Sequence, residues 1–378
     1  MAEPALETAE LSKPDPRADP GFTSAGRRAV LRARLEEAGY SAILITSLPN
    51  LRYLTGFSGS AGVGVVALGG RDRLFTNFLY RDQVKGEIDP AIELVIATDS
   101  LLAAVRVELA GEERLAFESA HLSVAEREAW RDAGGPEMEG VPGWVEDLRV
   151  VKSPAETAAI TRAAKVADRA FEDILTEIRP GITERELAAR LDYRLAFHGS
   201  ERPAFETIAA FGARSALPHA RPGERKLGRG EIVLLDFGAI VDGYASDLSR
   251  TVACGAPDPR LVEIYAVVLD AQRAALAGLV PGLTGREADA LAREPIEAAG
   301  YGERFGHSLG HGIGLEVHED PRLARRSEAK LRTGTVVTVE PGIYIPDLGG
   351  VRIEDDAVVG PDGAQVLTAA PKGDLIIV

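Results

Sequence analysis

Two acidic residues in this chain close apolar runs that read as buried strands. Asp236 follows Ile232-Val233-Leu234-Leu235, and Glu340 follows Val336-Val337-Thr338-Val339. A carboxylate left unpaired there would cost several kcal/mol of desolvation. A second acid follows each, Asp247 after Asp236 and Glu354 after Glu340. Asp242-Gly243 suits a hairpin turn that leaves Asp236 and Asp247 roughly opposite each other, and Gly349-Gly350 helps a second hairpin return to Glu354. Four carboxylates converging from two hairpins repel one another unless cations sit among them. The alternative is that each acid pairs with a nearby arginine such as Arg250 or Arg352. That account suits one acid far better than four.

Three of the six histidines fall within His307-Ser308-Leu309-Gly310-His311-Gly312-Ile313-Gly314-Leu315-Glu316-Val317-His318, and His219 follows Leu217-Pro218 in a turn. The glycines at 310, 312 and 314 argue against a helix, so His307 and His311 are not a helical zinc pair. A Gly-rich strand or loop instead lets the backbone approach a metal or a substrate closely. His121 and His198 lie outside such contexts and are expected to be ordinary hydrogen-bonded residues. Cys254 is the only cysteine, which rules out an intrachain disulfide and suggests a small buried residue in a strand.

The elements that position these groups repeat. PGITERELAARLDYRLAFHG at 180–199 aligns without gaps to PGLTGREADALAREPIEAAG at 281–300. Each copy is a Pro-Gly turn, a Thr cap and a Glu three residues later, the signature of a capped helix. Placing Gly230 on Gly334 puts Asp236 on Glu340 and Gly238 on Gly342, so each repeat brings two carboxylates on a hairpin. Ahead of this region, residues 25–150 alternate amphipathic helices with apolar strands, which predicts an α/β domain. Strands are expected at Ala42–Thr46, Val63–Leu68, Leu74–Thr76, Ile92–Ile96 and Leu115–Glu118, and helices at Arg27–Ala38 and near Leu101–Leu109 and Val124–Asp132. Gly134-Gly135-Pro136 and Pro142-Gly143 mark the approach to a linker. Ser153, Pro154 and Glu156 then open the second domain, 151–378, with a capping box. Residues 1–24 are rich in Pro, Asp and Glu, lack the pattern of a signal peptide, and are expected to form a disordered leader. No apolar run approaches the roughly 20 residues that span a bilayer, and the net charge of −15 disfavours nucleic acid as a partner.

The second domain resembles the pita-bread metallopeptidases, which include methionine aminopeptidase, aminopeptidase P and prolidase, with creatinase as a metal-free cousin. The resemblance rests on LDFGA, SDLSRT, GHGIGLEVHE, VEPGIY and VRIEDD, which hold the family's ligand order Asp, Asp, His, Glu, Glu. It implies an α+β pita-bread domain with a pseudo-twofold repeat, following a creatinase-like α/β domain. It also implies two divalent metal ions on Asp236, Asp247, His311, Glu340 and Glu354, with Asp247 and Glu354 bridging. The oxygen-rich set favours manganese, with cobalt or zinc as substitutes. The short spacing of VEPGIYIPDLGGVRIEDD and the stretch NLRYLTGFSGSAG (50–62) resemble the proline-specific branch. Where that branch carries Thr-Asp-x-Arg-Tyr, this chain has Thr76-Asn77-Phe78-Leu79-Tyr80, so no substrate contact is carried onto Asn77 or Leu79.

By resemblance, Glu340 takes a proton from the attacking water, His318 and His219 stabilise the carbonyl oxygen, His307 lines the pocket, and Arg352 orients Glu354 or meets the peptide. The expected activity is release of the first residue from peptides with proline second, by a cytoplasmic homodimer. Hydrolysis restricted to Xaa-Pro dipeptides is the alternative, and a metal-free creatinase-like enzyme or peptide-binding module is a more distant one. The aminopeptidase reading rests on the want of a clear clamp for a carboxylate after proline: Arg352 is a candidate but can serve Glu354 instead, and the altered 76–80 stretch of the first domain supplies no other.

Overall fold

The computed structural model describes residues 23–112 and 114–378. The expected leader lies outside the described residues as far as residue 22. Its last two positions belong to the first helix, with Thr23 as the cap and Ser24 as the first helical residue. The chain divides into two compact units, one ending at Arg149 and one spanning Val150–Val378.

The first unit contains α1 (Ser24–Ala38), β1 (Ala42–Ile45), α2 (Leu48–Thr55), β2 (Gly62–Ala67), β3 (Arg73–Asn77), β4 (Glu93–Ala97), α3 (Leu101–Glu108), β5 (Arg114–Glu118), α4 (Val124–Asp132) and β6 (Glu137–Val141). The six strands form one mixed sheet in the order β4-β3-β2-β1-β5-β6. Leu44, Val65, Phe75, Leu115 and Phe117 pack from its strands against Val105 and Trp130 of the helices. Two elements escape the sequence pattern. Helix α2 is short, and Ser47 caps it with Pro49 in its first turn. Strand β6 occupies the stretch read as the approach to a linker, pairing in parallel with β5. Its exposed Glu137 and Glu139 suit a sheet edge but hide the strand from an apolar count. A short helix α5 (Glu146–Val150) follows.

The second unit opens with α6 (Pro154–Leu175), where Ser153 and Glu156 form the expected capping box. Then come α7 (Glu184–Phe197), β7 (Ile208–Phe211), β8 (Glu231–Phe237), β9 (Ile240–Val241), β10 (Tyr244–Ala245) and β11 (Leu248–Cys254). The second half repeats the plan with α8 (Pro259–Gly278), α9 (Gly285–Ala298), β12 (Gly310–Gly312), β13 (Glu319–Leu323), β14 (Val336–Val339), β15 (Gly342–Ile345), β16 (Gly349–Arg352), β17 (Asp355–Gly360), β18 (Gly363–Val366) and β19 (Ile376–Ile377). Helices α7 and α9 are both 14 residues long, each with a Thr/Glu capping box. The preceding turns also match, since the Gly181 N–H donates to the Leu227 carbonyl and the Gly282 N–H to that of Leu331. The strands form a sheet β19-β11-β8-β7, a sheet β13-β12-β14-β17-β18, and two small hairpins. Phe171, Leu187, Leu191, Val233 and Leu235 belong to one core. Ile264, Val268, Ile296, Val337 and Val339 belong to its counterpart.

Among the described residues no helix is long and apolar enough to cross a membrane. Replacing Ser153 with Ala removes the acceptor that receives the Glu156 N–H. Loss of a cap costs about 1 kcal/mol, and in a unit of this size it should lower Tm by roughly 2–4 °C in thermal unfolding.

Candidate metal centre

The two acid pairs reach one place by different registers. Asp236, near the end of β8, stands opposite Ser249 rather than Asp247, which lies just before β11. The two-residue turn at Asp242-Gly243, both with positive φ, fixes this register. Asp236 and Asp247 are therefore a diagonal pair on one face of the hairpin. Glu340 follows β14 directly and Glu354 directly precedes β17, whose adjoining residues Val339 and Asp355 are paired, so these two glutamates face each other.

His311 enters from the middle of β12, where the glycines have the close-approach role expected of them. A Cβ on Gly310 would lie 2.0 Å from the Thr338 carbonyl oxygen, and one on Gly312 would lie 2.2 Å from that of Asp320. His311 Nε2 is 3.5 Å from Glu340 Oε1 and 3.9 Å from Asp247 Oδ2. Asp247, His311 and Glu354 each present a donor atom within 4.8 Å of the others. His311 Nδ1 donates to the Gly312 carbonyl at 3.0 Å, which leaves the lone pair on Nε2 facing the carboxylates.

Support for three of the acids, Asp236, Asp247 and Glu354, comes from the opposite repeat. Ser249 Oγ donates to Glu354 Oε2 at 2.7 Å, and Arg352 Nε donates to Ser249 Oγ at 2.8 Å. Arg352 also pairs with Asp236 Oδ2 through Nη2 and donates to Tyr344 Oη from Nη1 at 2.8 Å. It reaches Glu354 only through Ser249. The Asp247 N–H donates to Asp356 Oδ2 at 3.0 Å. Arg250 turns away from the cluster and pairs with Asp355. Pairing with arginine thus accounts for Asp236 alone.

This charge balance makes the cluster fit cations. Asp236 Oδ1 and Asp247 Oδ1 are buried with no hydrogen-bond partner. Burial, then the neighbouring acids, raises Asp247 and Glu354 well above the usual carboxylate range. Burial pushes Glu340 up to about 8. His311 is pushed down to about 4 by burial and is neutral at pH 7. Orphaned oxygens beside a neutral imidazole are a donor set for divalent ions.

All nine residues singled out from the sequence line one cavity of about 490 Å³. His307 has both nitrogens engaged, Nδ1 by the Ser308 carbonyl at 2.8 Å and Nε2 by Tyr344 Oη at 2.9 Å. His318 packs edge-on against His311 with ring centroids 4.4 Å apart. His219 is exposed on the cavity wall. His121 and His198 are bonded to Glu146 and Asp173, as expected of ordinary polar residues, and Cys254 is buried in β11. Sequence reasoning missed Ser249, Tyr344, Asp356 and Arg322. Ser249 and Tyr344 lie inside the quoted motifs, but a hydroxyl in a strand carries no signal of its own. Arg322 on β13 pairs with His311 only through the sheet register.

Residues 158–361 match metallopeptidase family M24, and residues 27–151 match the creatinase/prolidase N-terminal domain. The chain belongs to metallopeptidase family M24. A Xaa-Pro dipeptidase of Pyrococcus horikoshii is 40% identical, over 89% of this chain and 95% of the relative. The structure of a Xaa-Pro dipeptidase from Bacillus anthracis superposes with a TM-score of 0.91 at 43% identity, covering 94% of this chain and 100% of that one. An X-Pro aminopeptidase from Thermotoga maritima gives 0.85 at 35% identity, covering 93% and 99%. The M24 fold seen here is the creatinase-like domain followed by the pita-bread domain, and the protein is a hydrolase, a metallopeptidase.

Stripping metal from this M24 enzyme should expose the repulsion among the acids. Carboxyls with raised folded-state values bind protons that the unfolded chain has already released, so stability falls as pH rises. The chelated protein should lose Tm progressively from about pH 4, the unfolded carboxyl value, to the Glu340 value of about 8. Added Mn²⁺ should flatten that slope in a thermal scan.

Proposed function

We propose that this M24 peptidase hydrolyses Xaa-Pro dipeptides at the bond before proline, as a prolidase-type dipeptidase. The observation that carries this reading is Arg322. Its guanidinium is exposed on the cavity wall, opposite His311 in register, and makes no ion pair or hydrogen bond among the described residues. Of the three arginines lining the cavity, Arg352 pairs with Asp236 and Arg221 lies 3.9 Å from Glu206, so Arg322 is the guanidinium left open to a carboxylate. In a dipeptide that carboxylate belongs to the proline itself, whereas a longer peptide has an uncharged amide there. Arg352 cannot take that part, because each of its three nitrogens is already engaged by Ser249, by Tyr344 and Pro218, or by Asp236. The reading thus departs from the aminopeptidase expected from the sequence, and relatives named Xaa-Pro dipeptidase support the change.

In this reading Asp236, Asp247, His311, Glu340 and Glu354 would hold two divalent ions, manganese being favoured by the oxygen-rich set. Bound there, they would supply a water acidic enough to ionise near neutral pH. Glu340 accepts the proton, its Oε1 steadied by a 3.3 Å hydrogen bond from Thr338 Oγ1. His318, whose pKa burial lowers, is neutral at pH 7 and with His219 turns an N–H towards the carbonyl oxygen as negative charge develops there. His307, with both nitrogens engaged, offers its ring to the proline as a wall and no proton. Proline lacks an amide N–H and has a fixed φ, so a cavity shaped by rings and charge can select it. Cytoplasmic location and a homodimer belong to the same reading and rest on the family resemblance. Cell fractionation and sedimentation velocity check them.

The deciding measurement is kcat/KM for Ala-Pro, Ala-Pro amide and Ala-Pro-Ala with Mn²⁺. Ala-Pro should be preferred by about 10²-fold, and Arg322→Ala should remove that preference by raising KM for the free acid alone, as losing one partner of a charge pair does. Turnover of Ala-Pro-Ala at or above that of Ala-Pro would instead support an aminopeptidase, the activity named for the Thermotoga maritima structure. His318→Ala should lower kcat by about 10²–10⁴-fold with metal content unchanged, while His311→Ala should lose metal. Equal metal loss in both would overturn this division of roles.

A further inference from the structure

Of the four cavity histidines, His219 alone has neither a hydrogen bond nor a ring contact among the described residues, whereas His318 packs on His311. His307 and His311 are fixed by hydrogen bonds to Tyr344, Ser308 and Gly312. The His219 imidazole is exposed and makes no hydrogen bond among the described residues. Its place on the cavity wall therefore depends on the backbone of the segment that carries it, the connection from Phe211 to Gly223. Pro218, Ala220, Arg221 and Pro222 of this connection line the cavity with it.

The two ends of that connection meet at one side chain. Glu184, the first residue of α7, is fully buried. Its Oε1 accepts the Phe211 N–H at 3.1 Å, and its Oε2 accepts the Gly223 N–H at 3.1 Å. Arg214 Nε donates to both oxygens, at 3.0 and 3.1 Å, and Arg214 Nη2 reaches over to the Arg221 carbonyl at 2.8 Å. The front of the loop has a further anchor, since the Gly350 N–H donates to Ser215 Oγ at 2.8 Å. Just before His219 the Pro218 carbonyl accepts from Arg352. After it, the ties out of the loop are the Gly223 N–H to Glu184, the Arg185 N–H to the Gly223 carbonyl and an exposed 3.9 Å ion pair of Arg221 with Glu206, while Arg214 braces the Arg221 carbonyl from within the loop. A carboxylate with four acceptor sites is the one side chain of this size that can take both backbone donors and a guanidinium together.

We propose that Glu184 is a positioning residue of the peptidase: by closing the Phe211–Gly223 loop at both ends it holds His219 at the cavity. The proposal rests on the reading of His219 given above. Position 184 has no counterpart in the second repeat, where the equivalent residue is Gly285. A Cβ there would fall 2.1 Å from the Arg322 carbonyl oxygen, so the second repeat has no room for a side chain at the same place.

A double-mutant cycle tests the idea on the full-length Mn²⁺-loaded enzyme with Ala-Pro. Glu184→Ala should lower kcat/KM by about 10²-fold, the scale of a 1 Å misplacement of a reacting group. In a His219→Ala background the same change should cost less than about threefold, because coupled residues are not additive. Metal content should be unchanged, and hydrogen exchange should speed up at the amides of residues 211–223 while α7 stays protected. If Glu184→Ala does not fold, Glu184→Gln carries the cycle, since its amide keeps the volume but presents N–H groups where acceptors are needed. A costly His219→Ala combined with additive losses would overturn the brace and leave the catalytic reading standing. A His219→Ala variant with full turnover would overturn both.

Discussion

Carboxylates cannot gather in a buried space at neutral pH without positive charge among them, and the second unit is organised around that constraint. One of the four acids has a guanidinium, and two carry orphaned oxygens. Apart from Arg352, the groups that steady them carry no positive charge. Ser249 holds Glu354, Thr338 holds Glu340, and the buried Asp356 holds the backbone of Asp247. Such an arrangement is poor for stability and good for capturing cations, which is the usual trade at a functional site.

The pseudo-twofold plan explains how one chain assembles so much charge. Each repeat brings a capped helix, a strand and two acids, yet Asp236 and Glu354 are steadied by donors from the other repeat, and Glu340 alone by its own strand. Ser249 of the first serves Glu354 of the second, and Arg352 of the second serves Asp236 of the first. The histidines break the symmetry: His307, His311 and His318 come from the second half and His219 alone from the first. The first half compensates with Glu184, for which the second has only a glycine.

What the sequence made legible follows from what leaves a periodic trace. Asp236 and Glu340 were visible because each sits at the end of an apolar run, Asp247 and Glu354 because the hairpin repeat places a second acid after each, and the helices because their Thr/Glu caps repeat. The glycines around His311 were readable as close-approach positions. Strand β6 was not, because its exposed glutamates look like loop. Arg322 was not, because only the register of β12 on β13 brings it to the cavity. That omission tilted the expected substrate towards longer peptides. Tyr344 and Ser249 were hidden for a different reason: a hydroxyl matters only once its partner is known, and here the partners lie across the repeat boundary.

The cross-repeat bonds also bear on the order in which the chain assembles. Ser249–Glu354, Arg250–Asp355, Asp247–Asp356 and Asp236–Arg352 span sequence separations of 105, 105, 109 and 116 residues. Contacts that distant close late, after local helices and hairpins have formed. The four acids therefore stay apart, each pair in its own half and well solvated, until both halves are built. Their mutual repulsion arises only at the final docking step, where it opposes the halves coming together and leaves earlier folding untouched.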